Sequence, residues 1–384
     1  MSSAYPGILD HRPTYAVVNK GAIRRNFHAL RTLAGGATHG TKMMPSIKAN
    51  GYGHGIIEVA QTLQEEGTDF LGVAFIEEAM QLRAAGISTP ILVFGGLPGD
   101  EIPLFLDFDV DITASSVSKL EKVEAVAQAK GIRARVHLKI DTGLERIGVH
   151  YYSCQELFDK AMRMQHCDVV GVYSHFASVE PGDRALGETQ LARFNDAVAY
   201  YDALNPKPYL KHISASSGIL GLPQAHLDMV RPGLAIFGVY PDMGFANVVH
   251  LEPALSLKSE VVYFKVVREG AGVSYSHRWR APVDTRVVTV PIGYGDGYLR
   301  SLSNKGVVVI RGERHSVVGS VCMDQLMVDL GPDGEGYNGD EVVLIGEQNG
   351  LAVRVEELAA AVQTAPHEII TLLNQRIPRR YIDS

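Results

Sequence analysis

A single lysine, Lys48, closes a short apolar run, and glycines 51, 53 and 55 follow it: Met43-Met44-Pro45-Ser46-Ile47-Lys48-Ala49-Asn50-Gly51-Tyr52-Gly53-His54-Gly55. The run reads as a buried strand and the glycines as a tight turn leaving it. An ammonium at such a point is paired, exposed, or desolvated so that its pKa falls and the amine becomes nucleophilic. A desolvated lysine forms a Schiff base with an aldehyde; a lysine paired with a carboxylate is the plainer alternative.

Other stretches carry chemically competent residues. Lys139-Ile140-Asp141-Thr142-Gly143-Leu144-Glu145-Arg146 puts two cations and two carboxylates at a strand end. This is either a salt-bridged loop or an anion site in which Arg146 offers its planar fork to a carboxylate or phenolic oxygen. His175, in Tyr173-Ser174-His175-Phe176-Ala177, follows another strand-like run, where a lone histidine is usually a structural hydrogen bonder. Ser214-Ala215-Ser216-Ser217-Gly218 is a hydroxyl-rich turn entering a helix. It suits a phosphate through converging N–H and O–H groups, and it equally suits an ordinary helix cap. Arg231 opens Arg231-Pro232-Gly233-Leu234-Ala235-Ile236-Phe237-Gly238, and Tyr275, Tyr294 and Met323 lie in glycine-punctuated segments further on.

Something must hold these residues together. Strand-like runs at 43–47, 70–75, 91–94, 110–113, 135–140, 169–174, 210–214 and 234–238 alternate with helix-like segments at 56–66, 77–85, 116–130, 153–164 and 187–203. An amphipathic helix at 20–34 precedes them, and the third and seventh connections are indistinct. Eight β/α units in this length predict an α/β fold, a (β/α)8 TIM barrel, whose strand ends carry the chemistry. The alternative, a doubly wound sheet, lacks a glycine fingerprint in the first unit. After Leu251-Glu252-Pro253 the runs at 255–265, 286–292, 306–310, 316–319, 325–330 and 341–345 are short and separated by turns, which predicts a mostly β second domain. Helices at 355–362 and 366–374 follow. The expected division is a barrel at 12–250 and a β domain at 251–384, with residues 1–11 packing against the latter.

The bulk properties narrow the class. The chain has 384 residues, 46% apolar and 21% charged, which suits two globular domains. A net charge of −7 offers nothing to nucleic acid or an anionic membrane, and no apolar run is long enough to span one. Cys154, Cys167 and Cys322 are scattered and odd in number, suggesting neither a disulfide framework nor a zinc site, so no metal is expected. Without a secretory signal at residues 1–14, a cytoplasmic location is expected.

Taken in order, these segments resemble the alanine racemases. Lys48-Ala49-Asn50-Gly51-Tyr52-Gly53-His54-Gly55 is similar to that family's pyridoxal-phosphate lysine motif, with Gly51 where alanine is usual. The resemblance implies a homodimer with shared active sites and a small amino acid as substrate. It makes Lys48 and Tyr275 the two catalytic bases, on opposite faces of the substrate Cα, with Tyr275, Tyr294 and Met323 supplied by the other subunit. Lys48, Tyr52, His175, Ser216, Arg231, Gly233 and Leu234 would hold the cofactor, His175 packing on its ring and Arg231 disfavouring protonation of its pyridine nitrogen. Arg146, Met323 and Tyr294 would contact the substrate, and Lys139 matches a lysine that is often carbamylated. Departures at Glu145, Ala215 and Ser276 leave open a racemase for serine, lysine or another amino acid. A decarboxylase or a non-catalytic pyridoxal-phosphate carrier is a more distant alternative. Gln375 stands where the family often has a phosphate-binding tyrosine, and the sequence does not say what replaces it.

Overall fold

The computed structural model describes residues 11–36, 38–96 and 99–384. Residues 1–10, expected to pack with the second domain, lie outside that range; Arg12, just inside it, reaches the buried carboxylate of Asp296 at 2.7 Å.

Parallel strands Leu71–Val73, Ile91–Val93, Asp111–Ala114, Ala134–Asp141, Cys167–Tyr173 and Leu210–His212 pair in sequence order. Met229–Val230 pairs with Lys42–Met43, and bridges Ser46–Gly72 and Ala215–Arg231 join these two to the rest, so eight strands close into a barrel. Successive apolar residues on such strands leave none to face water. Inside, Met44, Leu92 and Met229 are fully buried and pack with Phe70, Phe94 and Leu210 from neighbouring strands.

One strand differs from expectation. Leu234–Phe237 is a 3-10 turn, and the eighth strand is the two-residue Met229–Val230 before it. A buried apolar run of this length fits either element, and Pro232-Gly233 interrupts the ladder just ahead of it. The indistinct third and seventh connections are short helices, Ile102–Asp107 and Ser216–Gly221. The other helices form where apolar residues recur at helical spacing and a cap is available. Asn19 caps Lys20–Leu33 by accepting the Ala22 N–H at 3.1 Å, and Ser116 caps Val117–Lys130.

The second unit is a mostly antiparallel sheet. Its order is Tyr263–Val267, Thr285–Val290, Leu326–Gly331, Glu313–Val318, Val307–Ile310, Glu341–Gln348, Leu255–Glu260, Tyr15–Asn19, Arg379–Ile382. Tyr15–Asn19, expected within the barrel unit, is instead a strand of this sheet, antiparallel to Leu255–Glu260 and parallel to Arg379–Ile382. Its alternating burial serves the sheet, whereas a barrel strand needs burial on both sides. The barrel proper begins after the helix Lys20–Leu33.

The turn after Lys48 is where the two units meet. Ala49, Asn50, Gly51, Tyr52 and Gly53 all have left-handed φ, between 52° and 82°. A Cβ on Gly53 would sit 2.1 Å from the carbonyl oxygen of Ile370, in the C-terminal helix Pro366–Thr371. Gly53→Ala therefore destabilises the protein by on the order of 3 kcal/mol, from backbone collision plus left-handed strain. Denaturant unfolding of both proteins checks this; an unchanged midpoint would mean the two backbones are not packed this closely.

Candidate active site

A cavity of about 460 Å³ opens at the C-terminal ends of the barrel strands. Nine of the residues singled out in the sequence line it together: Lys48, Tyr52, Lys139, Arg146, His175, Ser216, Arg231, Gly233 and Leu234. They arrive from strands one, five, six, seven and eight, as expected where chemistry is built on barrel strand ends.

Lys48 follows the first strand directly. Burial and the Arg146 cation lower its pKa, and the Glu78 carboxylate opposes them. Glu78 Oε1 accepts the N–H of Ala49 at 2.7 Å, which anchors the start of the left-handed turn. Asn50 Oδ1 accepts the N–H of Ile56 at 3.0 Å, which anchors its exit. Left-handed backbone costs an L-residue about 1–2 kcal/mol, so Ala49, Asn50 and Tyr52 hold that conformation only because these contacts enforce it.

Arg231 follows the eighth strand and also lines the cavity. It is 3% exposed yet its pKa falls only to about 10, because burial disfavours the charge while the Tyr173 ring favours it, so it stays a cation at neutral pH. Its guanidinium has only donors, and that fixes everything behind it. Nη1 donates to His212 Nδ1 at 2.7 Å. His212 therefore carries its proton on Nε2 and donates to His137 Nδ1 at 3.0 Å. His137 in turn donates from Nε2 to Asp111 Oδ2 at 3.3 Å, and Arg135 Nε donates to the other Asp111 oxygen at 2.6 Å. Nη2 donates to the carbonyls of Ser174 at 2.7 Å and Ile213 at 2.9 Å, with His175 Nδ1 at 3.2 Å. Burial and the nearby Arg231 cation push both His175 and His212 well below the ordinary histidine range, so both are neutral.

Lys139 is 4% exposed, with its ammonium nitrogen 4.2 Å above the centre of the Tyr173 ring. Burial, Arg231 and Arg146 all drive its pKa well down from the ordinary lysine range, with Asp141 opposing. Asp141 organises the next loop. Its two oxygens accept the N–H groups of Gly143, Leu144, Glu145 and Arg146 at 2.8–3.2 Å. Burial alone would raise its pKa, but these four donors pull it below the ordinary range. The loop they define carries Arg146 to the cavity.

The remaining corner is built for an anion. Ser216 Oγ accepts the N–H groups of Gly233 at 3.0 Å and Ala235 at 3.2 Å, which leaves its own proton to donate. A Cβ on Gly233 would lie 2.6 Å from the Tyr52 hydroxyl, so only glycine lets the phenol reach this corner. Gln375 is not here; it lines a separate crevice behind the turn, with Asn50 and Tyr381. His367 and Thr371, from the C-terminal helix, face the main cavity.

Tyr275, Tyr294 and Met323 are not among the cavity residues. They sit together on the second unit: Gly295 N–H donates to the Met323 carbonyl at 2.8 Å, and Ser320 Oγ donates to the Tyr275 carbonyl at 3.1 Å. All three are exposed, at 69%, 42% and 53%.

Sequence reasoning missed Glu78, His137, His212, Asp111, His367 and Thr371. A signal existed for one set. Arg135, His137, Lys139 and Asp141 alternate along one strand, which puts four polar side chains at one parity of an otherwise apolar run.

Comparison with known proteins agrees with this geometry. The sequence matches the family described as "Alanine racemase, N-terminal domain" over residues 18–241 and "Alanine racemase, C-terminal domain" over residues 254–381. It is 37% identical to "Alanine racemase 2" of Caldanaerobacter subterraneus subsp. tengcongensis, covering 97% of this chain and 95% of that protein. The alanine racemase structure from D-cycloserine-producing Streptomyces lavendulae superposes with a TM-score of 0.92 at 37% identity, over 97% of this chain and 98% of that one. The structure from Bartonella henselae, with covalently bound pyridoxal phosphate, gives a TM-score of 0.87 at 28% identity over 96% and 99% of the chains. The chain belongs to the alanine racemase family.

Proposed function

We propose that the protein interconverts L-alanine and D-alanine with pyridoxal 5'-phosphate held in the barrel mouth, Lys48 and Tyr275 of the partner subunit serving as the two bases. The observation that carries this reading is a desolvated Lys48 and a cationic Arg231 lining one cavity at the barrel mouth. When bound, pyridoxal phosphate supplies an aldehyde for an amine and a conjugated ring that acidifies the Cα–H bond of an attached amino acid.

The chain's own residues fit that group. The Ser216 hydroxyl, the Tyr52 hydroxyl and the N–H of Leu234 would take its phosphate, while the Gly233 N–H supports them by donating to Ser216. Arg231 stays a cation at neutral pH, so facing the pyridine nitrogen it would keep that nitrogen unprotonated and restrain side reactions. His175, held neutral, would pack on the ring without adding charge. Arg146 would bind the substrate carboxylate. Lys139, whose burial and neighbouring cations favour the unprotonated amine, is suited to add carbon dioxide; the resulting carbamate would replace a costly ammonium with an anion near Arg231 and Arg146.

Lys48 would remove and return the Cα proton on the face of the D-isomer and Tyr275 on that of the L-isomer. One base alone would need to turn the substrate over. The exposed Tyr275, Tyr294 and Met323, which do not line their own chain's cavity, support a homodimer in which each second unit completes its partner's site. We take residues 20–250 as the cofactor-binding unit and 251–384, with strand Tyr15–Asn19, as the completing one. Among the described residues no helix is long and apolar enough to cross a membrane, and action in the cytoplasm on a free amino acid is part of the proposal.

Proton NMR of a panel of L-amino acids in D2O, with protein and pyridoxal phosphate, tests the reading. Alanine loses its Cα–H signal and D-alanine appears on a chiral column. Faster exchange of serine or a basic amino acid would move the substrate within the same mechanism, and no exchange with cofactor bound would remove the racemase reading.

A further inference from the structure

Glu78 touches the backbone on both sides of the gap between the first two barrel strands. It lies in the first turn of helix Ile76–Ala84. Its Oε1 accepts the N–H of Ala49 at 2.7 Å, and its Oε2 accepts the N–H groups of Ala74 at 2.7 Å and Phe75 at 3.3 Å. Ala74 and Phe75 leave the second strand, Leu71–Val73; Ala49 is the residue immediately after Lys48. The ladder between these strands ends just below, where Ile47 N–H donates to the Gly72 carbonyl at 2.9 Å. Beyond that bond, one carboxylate ties the two strand ends together.

The residue it grips is the first of the left-handed turn, Ala49, at φ 52° and ψ 54°. An alanine gains nothing from that conformation by itself. Release of its N–H would let the peptide rotate toward an ordinary right-handed or extended form, and the direction in which Lys48 leaves the backbone would rotate with it. A displacement of about 1 Å at a catalytic group costs about a hundredfold in rate.

The same carboxylate supplies charge. The side chains that surround Lys48 are otherwise cationic or neutral: Arg146 disfavours its proton, His175 and His367 feel its field as neutral rings, and Lys139, Arg231 and Tyr52 share the cavity. No aspartate or glutamate is among the described residues that line the cavity. Glu78, reaching the edge from its helix, is the carboxylate whose field acts on the amine in the opposite sense.

We propose that Glu78 is the positioning residue for Lys48: by gripping the Ala49 N–H it fixes the turn that aims the amine, and by its charge it keeps the amine able to hold a proton. The proposal rests on the reading of Lys48 as the cofactor lysine and base.

The test compares full-length wild type with Glu78→Gln, Glu78→Asp and, at the exposed neighbouring position, Glu77→Gln. After the cofactor is removed with hydroxylamine, each protein is labelled with acetic anhydride across a pH series, and acetylation of Lys48 is read by peptide mass spectrometry. In Glu78→Gln the midpoint for labelling moves to lower pH, because an amine that loses a negative neighbour gives up its proton more easily. Reconstituted Glu78→Gln loses kcat about tenfold or more while KM changes by about twofold at most. Glu78→Asp keeps the charge and loses the reach, so its midpoint stays near wild type while kcat falls. Glu77→Gln changes neither. A wild-type midpoint together with wild-type kcat in Glu78→Gln overturns the proposal; if that variant does not fold, wild-type kcat in Glu78→Asp overturns it. Failure of pyridoxal phosphate to protect wild-type Lys48 from acetylation would instead overturn the cofactor-lysine reading, a result visible without any Glu78 variant.

Discussion

Lys48→Ala leaves a folded protein that no longer racemises alanine, with kcat reduced by about four decades or more. The magnitude follows from two losses at one atom. General base catalysis by a positioned group contributes about two to four decades by itself, and the same amine is the one that would bond covalently to the cofactor's aldehyde. The fold survives because the amine is not a structural partner. Glu78 accepts from the backbone N–H of Ala49, not from Lys48, so truncation leaves no buried acceptor unpaired. Stability therefore changes by less than about 1 kcal/mol. The measurement has three parts: the absorbance of bound cofactor, which loses the band of its lysine linkage; the rate; and the denaturation midpoint. Added methylamine should restore a concentration-dependent part of the rate, since it replaces the missing base without the tether. Retention of the absorbance band would show that another amine, Lys139 being the other lysine that lines the cavity, makes the bond.

That outcome can be anticipated from the way local sequence maps onto the site. The barrel was legible because each strand is a short run of apolar residues and each helix keeps its own spacing. The position of Lys48 was legible because the run ends abruptly in a charge followed by glycines. The left-handed turn was legible only as a tight turn: glycine at 51 and 53 announces positive φ, but Ala49, Asn50 and Tyr52 adopt it through contacts with Glu78 and Ile56 that no neighbouring residue reveals. The eighth strand was misplaced for a similar reason. Met229–Val230 is too short to register as a strand by itself and exists because Lys42–Met43 and the Ala215–Arg231 bridge flank it. The relay behind Arg231 joins residues 111, 137, 212 and 231, far apart in the chain and adjacent only after barrel closure. Sequence spacing could have offered its alternation of Arg135, His137, Lys139 and Asp141, yet not its partners.

Tyr275→Phe carries the second large effect, and it is directional. With the phenol gone, conversion of L-alanine to D-alanine falls by about two to four decades. D-alanine nevertheless continues to exchange its Cα–H for deuterium in D2O, because Lys48 still works on its own face. L-alanine does not exchange. Equal loss of exchange from both isomers would mean that Tyr275 is not a base for one face. The exposure of Tyr275, and its absence from its own chain's cavity, lead to a sharper form of the experiment. Lys48→Ala and Tyr275→Phe proteins are each inactive in racemisation. Mixed under conditions that exchange subunits, half of the dimers contain one chain of each kind. In such a dimer one site combines both defects, and the other combines an intact Lys48 with the intact Tyr275 of the partner subunit. Activity therefore returns to about a quarter of the wild-type level if each site is completed by its two-fold related partner. If each chain held its own Tyr275 over its own Lys48, mixing would restore nothing, so the recovered rate measures directly whether the second unit of one chain serves the barrel of the other.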